Sequence, residues 1–393
     1  MNEPGAGARS SGPGRIRQLN REAVLRFIRL NGPSARTTLI HALDLSAAAV
    51  SSLVSELLRD ALLLEAEGSA THGRQGRPVS LLRLNPRAAY ALGIVLRPHA
   101  GGVAVETAWA DYAGGLAAGP TVQVRSSESA QPVIDGVCDA VAALEREAPD
   151  AERITALAVG IPGVVDDGGC IQIAPRLPVI AGTELIERLS ARLPYALSFH
   201  NDINLAVIAE LHQQPRLRDI GFAYLFIATG VGAGIGLRGR LWSGNGWAGE
   251  VGQLRITRAR GRRESFEELL GIENELARQI GKLGLRGNGL GDLVAAADAG
   301  DRRALRVIRG YAESLCDLIQ VLNAVLDLDE VIVDFPCRAL LERLLPRVQT
   351  IMAASALKVA VAEPSIGHAA GVRGAALAAL DESLGRLQRR DTA

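Results

Sequence analysis

Cysteine, lysine, aromatic residues and long apolar runs are all scarce in this 393-residue chain. Cys138, Cys170, Cys316 and Cys337 stand far apart and no Cys-x-x-Cys occurs, which argues against a zinc or redox site of that spacing. No uninterrupted apolar run reaches the roughly 20 residues that span a bilayer. The N-terminus lacks the charged-then-apolar order of a signal peptide. These absences lead us to expect a cytoplasmic protein with reduced thiols and no membrane partner. Excess charge of one sign is missing too. Lys plus Arg number 43, as do Asp plus Glu, so any nucleic-acid binding must come from local charge. Lys282 and Lys358 are the only lysines, a bias we attribute to genome composition.

The chain is nevertheless 48% hydrophobic, enough for well-formed cores, and long enough for two or three domains. Residues 1–14 are rich in Gly, Pro and Ser and read as a disordered tail. Residues 15–85 read as a small separate domain. Val24, Leu25 and Ile28 are spaced for one helix face, Thr37 to Leu43 forms a second helix, and Ala47 to Arg59 a third with Ser46 as N-cap. Leu62–Glu67 and Val79–Leu84 then alternate as two strands. Three helices and a two-stranded wing predict a winged helix-turn-helix. Residues 1–84 hold 11 Arg against seven Asp and Glu, a local positive excess suited to phosphate contact. A winged helix used only for protein contacts remains the alternative.

The third helix exposes Ser51, Ser52 and Ser55 next to the capping Ser46. These exposed positions offer no Arg, Asn or Gln for bidentate base pairing, so the helix's base readout should be weak. Arg74 and Arg77 on the wing are the other DNA candidates. Gln75-Gly-Arg-Pro78 is similar to the Arg-Gly-Arg-Pro core of minor-groove AT-hooks, though a plain linker turn explains it as well.

From residue 86 to 393 strands and helices alternate, which predicts an α/β domain of two lobes. An apolar hairpin (89–96, 102–108) opens it. A helix at 132–146, a strand at 154–159, a helix at 183–192, a strand at 195–199 and a helix at 204–212 follow. Later helices are expected at 264–280, 289–298, 301–327, 337–346 and 371–380, with strands at 330–333 and 357–361. Two polar clusters each follow an apolar run: Ser198 to Asn204, and the glycine-rich stretch from Thr229 to Gln253. Gly230, Gly232, Gly234 and Gly236 alternate with apolar residues, which either opens backbone N–H groups to a ligand or packs the strand against a neighbour.

Taken in order, these motifs resemble the ROK family of repressors and sugar kinases on the actin-like ATPase fold. Gly160-Ile-Pro-Gly163 is similar to its Gly-x-Pro-Gly segment. Asn201-Asp202-Ile-Asn204 is similar to Glu-Asn-Asp-x-Asn, with His200 in the Glu position. Thr229 to Gly234 is similar to its second phosphate loop. Gly249-Glu250-Val-Gly-Gln253 is similar to Gly-Glu-x-Gly-His, with Gln253 replacing His, and Ala369 to Ala376 to its closing helix. An N-terminal winged helix is the arrangement of the xylose-repressor and N-acetylglucosamine-repressor branch.

The resemblance implies that Asn201, Asp202, Glu250, Gln253 and Glu267 bind a sugar, with Asp202 the vestigial general-base position. A helix cap is the alternative for Asn201 and Asp202, and a solvated surface carboxylate for Glu267. Three departures fall on nucleotide and metal chemistry. The family kinases' Asp-x-Gly-Gly-Thr is Val95-Leu-Arg-Pro-His-Ala100 here. The zinc cysteines are Arg258, Arg260 and Ser265. The adenosine glycines are absent from Val333 to Pro336. The expectation is a sugar-responsive DNA-binding regulator with no catalytic residue, cofactor or metal. Its partners would be operator DNA and a sugar or sugar phosphate, and it would act as a homodimer or homotetramer. The alternatives are an ATP-dependent sugar kinase with an added DNA-binding domain and a regulator controlled by a partner protein.

Overall fold

The computed structural model describes residues 13–67, 80–126, 128–257, 261–285 and 289–387. Helix α1 (Pro13–Asn31) buries Val24, Leu25 and Ile28. It begins two residues inside the stretch expected to be tail. Strand β1 (Ser34–Ala35), helix α2 (Arg36–Leu43) and helix α3 (Ala47–Arg59) follow. The Ser46 side chain accepts from the Ala49 N–H at 3.2 Å and so starts α3 where the sequence placed it. Strands β2 (Leu63–Glu67) and β3 (Ser80–Leu84) pair antiparallel, and β1 adds to the far edge of β3. The helix–wing pattern is present. Arg74 and Arg77, expected on the wing, lie outside the described residues.

The first lobe begins with β4 (Tyr90–His99), β5 (Gly102–Asp111), β6 (Leu116–Ala118) and β7 (Val122–Val124). Helix α4 (Ala130–Glu147) returns to β8 (Ile154–Ile161). A small hairpin of β9 (Val164–Val165) and β10 (Ile171–Ile173), helix α5 (Glu184–Arg192) and β11 (Ala196–Asn201) complete it. The strand order is β11-β8-β4-β5-β6, with β7 also on β5. β4, β8 and β11 are parallel.

Helix α6 (Asp202–Gln213) crosses to the second lobe, whose sheet holds β12 (Gly221–Ile227), β13 (Val231–Leu237) and β14 (Arg240–Trp242). The hairpin of β15 (Arg255–Thr257) and β16 (Arg263–Ser265) leads into α7 (Phe266–Leu270) and α8 (Ala277–Leu283). The single helix expected over 264–280 is thus broken at Gly271 and at Asn274, whose φ −99° and ψ −117° are not helical. Helices α9 (Leu290–Asp298) and α10 (Arg302–Leu326), strand β17 (Glu330–Asp334), helix α11 (Arg338–Ala354) and strand β18 (Ala360–Ala362) follow. The order β14-β13-β12-β17-β18 repeats that of the first lobe. Helix α11 runs past Pro346, eight residues beyond its expected end.

The last helix, α12 (Ala370–Leu387), doubles back onto the first lobe. It seats against α6 so closely that a Cβ at Gly374 would overlap the Leu205 carbonyl oxygen. The winged unit shares this core. Val24, Leu53, Leu63 and Leu82 are continuous with Ala91, Tyr112, Leu205 and Ala376 in one apolar cluster. No helix among the described residues is long and apolar enough to cross a membrane.

Candidate sugar cleft and DNA-facing helix

Parallel strands end on one edge of each sheet, and the two edges face each other across a cleft of about 520 Å³. The end of β4 brings Arg97, the start of α6 brings Asn201 and Asp202, and the loop after β12 brings Thr229 and Gly230. Glu250, Gln253 and Glu267 enter from the second lobe. All five residues predicted to hold a sugar therefore line one space.

Asn201 is also the helix cap raised above. Its side-chain oxygen accepts from the Ile203 and Asn204 N–H groups at 2.9 Å each, and its Nδ2 donates to the Gly163 carbonyl at 2.9 Å. One Nδ2 hydrogen is left for a ligand. Asp202 is buried beneath it. Arg97 Nη1 donates to Asp202 Oδ2 at 3.3 Å, and Arg97 Nε donates to Glu106 Oε2 at 3.1 Å. Burial pushes the Asp202 carboxyl up, against the pull of Arg97. Burial raises Glu106 as well, but the hydrogen bond from His368 and the nearby Arg97 prevail and hold it below its usual range. Neither Arg97 nor Glu106 was singled out in the sequence. The Arg97 carbon lies 5.8 Å from the Phe226 ring centroid, and its Nη2 donates to the His368 carbonyl at 3.4 Å.

The glycines of β13 resolve differently from a phosphate loop. A Cβ on Gly234 would stand 2.5 Å from Val207 Cγ2 and 3.0 Å from the Ile203 carbonyl, so this glycine lets α6 lie against the strand. Of the four alternating glycines, Gly230 and Gly232 line the cleft and Gly234 and Gly236 do not. In the segment aligned with the adenosine glycines, Asp334 accepts from the buried Tyr224 hydroxyl at 2.7 Å, and Pro336 forms cleft wall. Ser265 caps α7 with its hydroxyl and Glu268, while Arg258 and Arg260 lie outside the described residues. Among the described residues no group of His, Cys, Asp and Glu could hold a metal ion. His200 does not line the cleft. It stands 3.0 Å from Ser198 Oγ and 3.5 Å from Glu382, in a separate cavity of about 440 Å³.

On the winged unit, Ser46, Ser51, Ser52 and Ser55 are all exposed on α3. Ser55 Oγ donates to the Ser51 carbonyl at 2.9 Å, and Arg17 Nη2 donates to Ser52 Oγ at 3.1 Å. Arg17 also pairs with Glu56, so α1 reaches over the outer face of α3, a contact without a local sequence signal. The other end of α1 is fixed to the first lobe. Arg29 Nη1 lies 2.5 Å from Asp381 of α12, its Nη2 donates to the Tyr112 carbonyl at 3.5 Å, and its guanidinium covers the Tyr112 ring at 5.9 Å. Arg218 Nη1 donates to the Leu30 carbonyl at 2.8 Å.

Known proteins share this fold. The xylose repressor of Caldicellulosiruptor bescii is 26% identical over 247 residues, which cover 61% of this chain and 59% of that protein. The transcriptional dual regulator NagC of Escherichia coli K12 is 26% identical over 259 residues, 64% of this chain and 61% of that one. The chain thus spans about three fifths of the length of the curated relatives it matches. Among solved structures, a ROK family transcriptional regulator homologous to E. coli MLC superposes with a TM-score of 0.77 at 21% identity, covering 95% of this chain and 98% of that one. A Streptomyces griseus ROK glucokinase with glucose and AMPPNP gives 0.60 at 21% identity, covering 74% and 99%. The ROK family profile matches residues 100–382, so the chain belongs to the ROK family.

Proposed function

We propose that this chain is a sugar-responsive, DNA-binding transcriptional regulator, a repressor by the names of its relatives, whose kinase-like cleft senses a sugar without phosphorylating it. The observation that carries this reading is α12. Its first turn is cleft structure: Gly371 packs on the Arg97 guanidinium and the Asp202 carbonyl. Its Asp381 holds Arg29 of the winged unit. Eleven helical residues, about 17 Å, join the two sites rigidly.

A sugar in the cleft would donate hydroxyl hydrogen bonds to Asp202, Glu250 and Glu267 and accept from the Asn201 and Gln253 amides, residues that come from both lobes. Binding therefore favours one lobe angle. A tenfold preference for that state is worth about 1.4 kcal/mol of coupling. Operator DNA would meet the capping Ser46 and Ser51, Ser52 and Ser55 of α3, with Arg74 and Arg77 of the segment between β2 and β3 as further candidates. Pseudo-palindromic operators imply a homodimer or homotetramer in the cytoplasm.

Phosphoryl transfer needs a carboxylate free to take the acceptor proton and a phosphate-binding first loop. Here the Arg97 guanidinium sits on Asp202 at the end of β4, where the family's kinases have their first phosphate loop. A gel-shift titration on the DNA upstream of the gene, with a panel of sugars and sugar phosphates, tests the proposal. Retardation altered by one sugar supports it. Retardation that no sugar alters points to control by a partner protein. ATP-dependent phosphorylation of any sugar in the panel would overturn the non-catalytic reading.

A further inference from the structure

The charges around the cleft do not balance. Four carboxylates line it: Glu106, Asp202, Glu250 and Glu267. Arg97 answers two of them, Asp202 and Glu106, and His368 Nε2 stands 3.2 Å from the second oxygen of Glu106. The other arginine of the lining, Arg176, turns outward to Glu273 at 3.5 Å. Among the described residues Glu250 and Glu267 are left without a cation. Among the described residues no Lys, Arg or His comes within 4.0 Å of either carboxylate. Among the described residues the Glu267 carboxylate accepts from the neutral Gln253 amide at 3.2 Å, where the family's sequence pattern has a histidine.

Half-buried carboxylates that face one cleft without a counter-charge repel each other. Burial pushes Glu250 up, and Asp202 and Glu267 push it the same way. A neutral sugar would donate hydroxyls to these oxygens but leave the repulsion in place. A ligand cation would remove it and form charge-assisted hydrogen bonds, roughly twice as strong as neutral ones. A metal ion is a poor answer, because no group of ligating side chains among the described residues suits one.

We propose that the effector is an amino sugar whose protonated amine is held by Glu250 and Glu267. This rests on the sugar-responsive reading and narrows it to a cationic class. The amine, not the ring alone, sets specificity, so N-acetylation, which removes the charge, works against binding at this point.

The test is calorimetric titration of the full chain at pH 6.5. Glucosamine, galactosamine, mannosamine and 6-amino-6-deoxyglucose are compared with their neutral parent hexoses and with the N-acetyl derivatives. The expected result is one amino sugar bound about tenfold more tightly than its neutral parent, as one charge-assisted contact allows. Glu250→Gln and Glu267→Gln should each erase that preference while keeping the melting temperature, since the amide has the same shape. A neutral hexose or N-acetyl sugar that binds as tightly as every amino sugar overturns the inference and leaves the sugar-responsive reading standing. An amine preference that survives both substitutions overturns the assignment to these two residues. If no sugar of any class binds, the sugar-responsive reading fails and takes the inference with it.

Discussion

The Arg97 guanidinium lies 3.3 Å from the Asp202 carboxylate, joining the end of β4 to the first turn of α6. Removing one partner of a buried pair leaves the other charge uncompensated, and Arg97→Met should cost about 3 kcal/mol. The loss should depend on pH. Asp202 is already pushed up by burial, and without Arg97 it rises further. An acid with a raised folded-state pKa binds more protons folded than unfolded. Its folding is favoured below that pKa and penalised as pH rises through it. The melting-temperature deficit of Arg97→Met should therefore be larger at pH 8 than at pH 5. An equal deficit at both would show that Arg97 acts by packing alone.

Asn201 combines a cap and a cleft wall, so its substitutions should separate the two. Asn201→Ala removes the acceptor for two N–H groups and the donor to Gly163, and should destabilise the chain by about 1–2 kcal/mol. Asn201→Asp keeps the cap, so thermal melting should show a smaller loss. Sugar affinity should fall in both variants, because each changes the Nδ2 group that faces the cleft. Unchanged affinity in Asn201→Asp would remove Asn201 from the sugar contacts.

Much of this molecule was readable from local pattern. The Ser46 cap and the apolar face of α3 fixed that helix to the residue, and motif order placed Asn201, Asp202, Glu250, Gln253 and Glu267 in one cleft. What escaped were relationships across the chain. Arg97 meets a residue 105 positions away, and Arg29 one 352 positions away. The alternating glycines of β13 left two readings open for a physical reason. Room for a phosphate and room for a helix require the same missing Cβ, and only the fold shows that α6 fills the space beside Gly234. The helix expected over 337–346 ends on Pro346, and proline lacks the N–H that a helix interior uses. Yet α11 continues through it with Leu344, Leu345, Val348 and Met352 buried, so packing overrode propensity.

Contact between α12 and α6 should tolerate no added volume at Gly374. A methyl group there would overlap the Leu205 carbonyl, and both elements are backbone-rigid. Gly374→Ala should cost about 1–3 kcal/mol. The shifted α12 should also weaken the sugar effect on DNA binding. Wild-type stability in thermal melting would mean that α12 can slide along α6.

Arg29 tests the path from cleft to DNA. Its side chain is 7% exposed while Asp381 is 66% exposed, so the ion pair alone contributes at most about 1 kcal/mol. The Tyr112 carbonyl and ring add to the hold. In Arg29→Met, sugar binding by calorimetry and DNA binding without sugar should both persist. The sugar-induced change in DNA affinity should shrink several-fold. A full response in this variant would place the coupling elsewhere.

The exposed serines of α3 offer a test independent of the sugar. Ser51 and Ser55 face outward with small side chains, so Glu at either place should fold normally. A carboxylate there would oppose the DNA phosphates and lower affinity at least tenfold, whatever the sequence of the DNA. Ala at the same places should change affinity little, since a serine hydroxyl supplies no bidentate base contact. Gel-shift titrations at two salt concentrations distinguish these outcomes, because electrostatic loss is greatest at low salt. If Ser51→Glu and Ser55→Glu both bind DNA as the parent does, α3 is not the face that meets the duplex. The winged unit would then serve protein contacts instead.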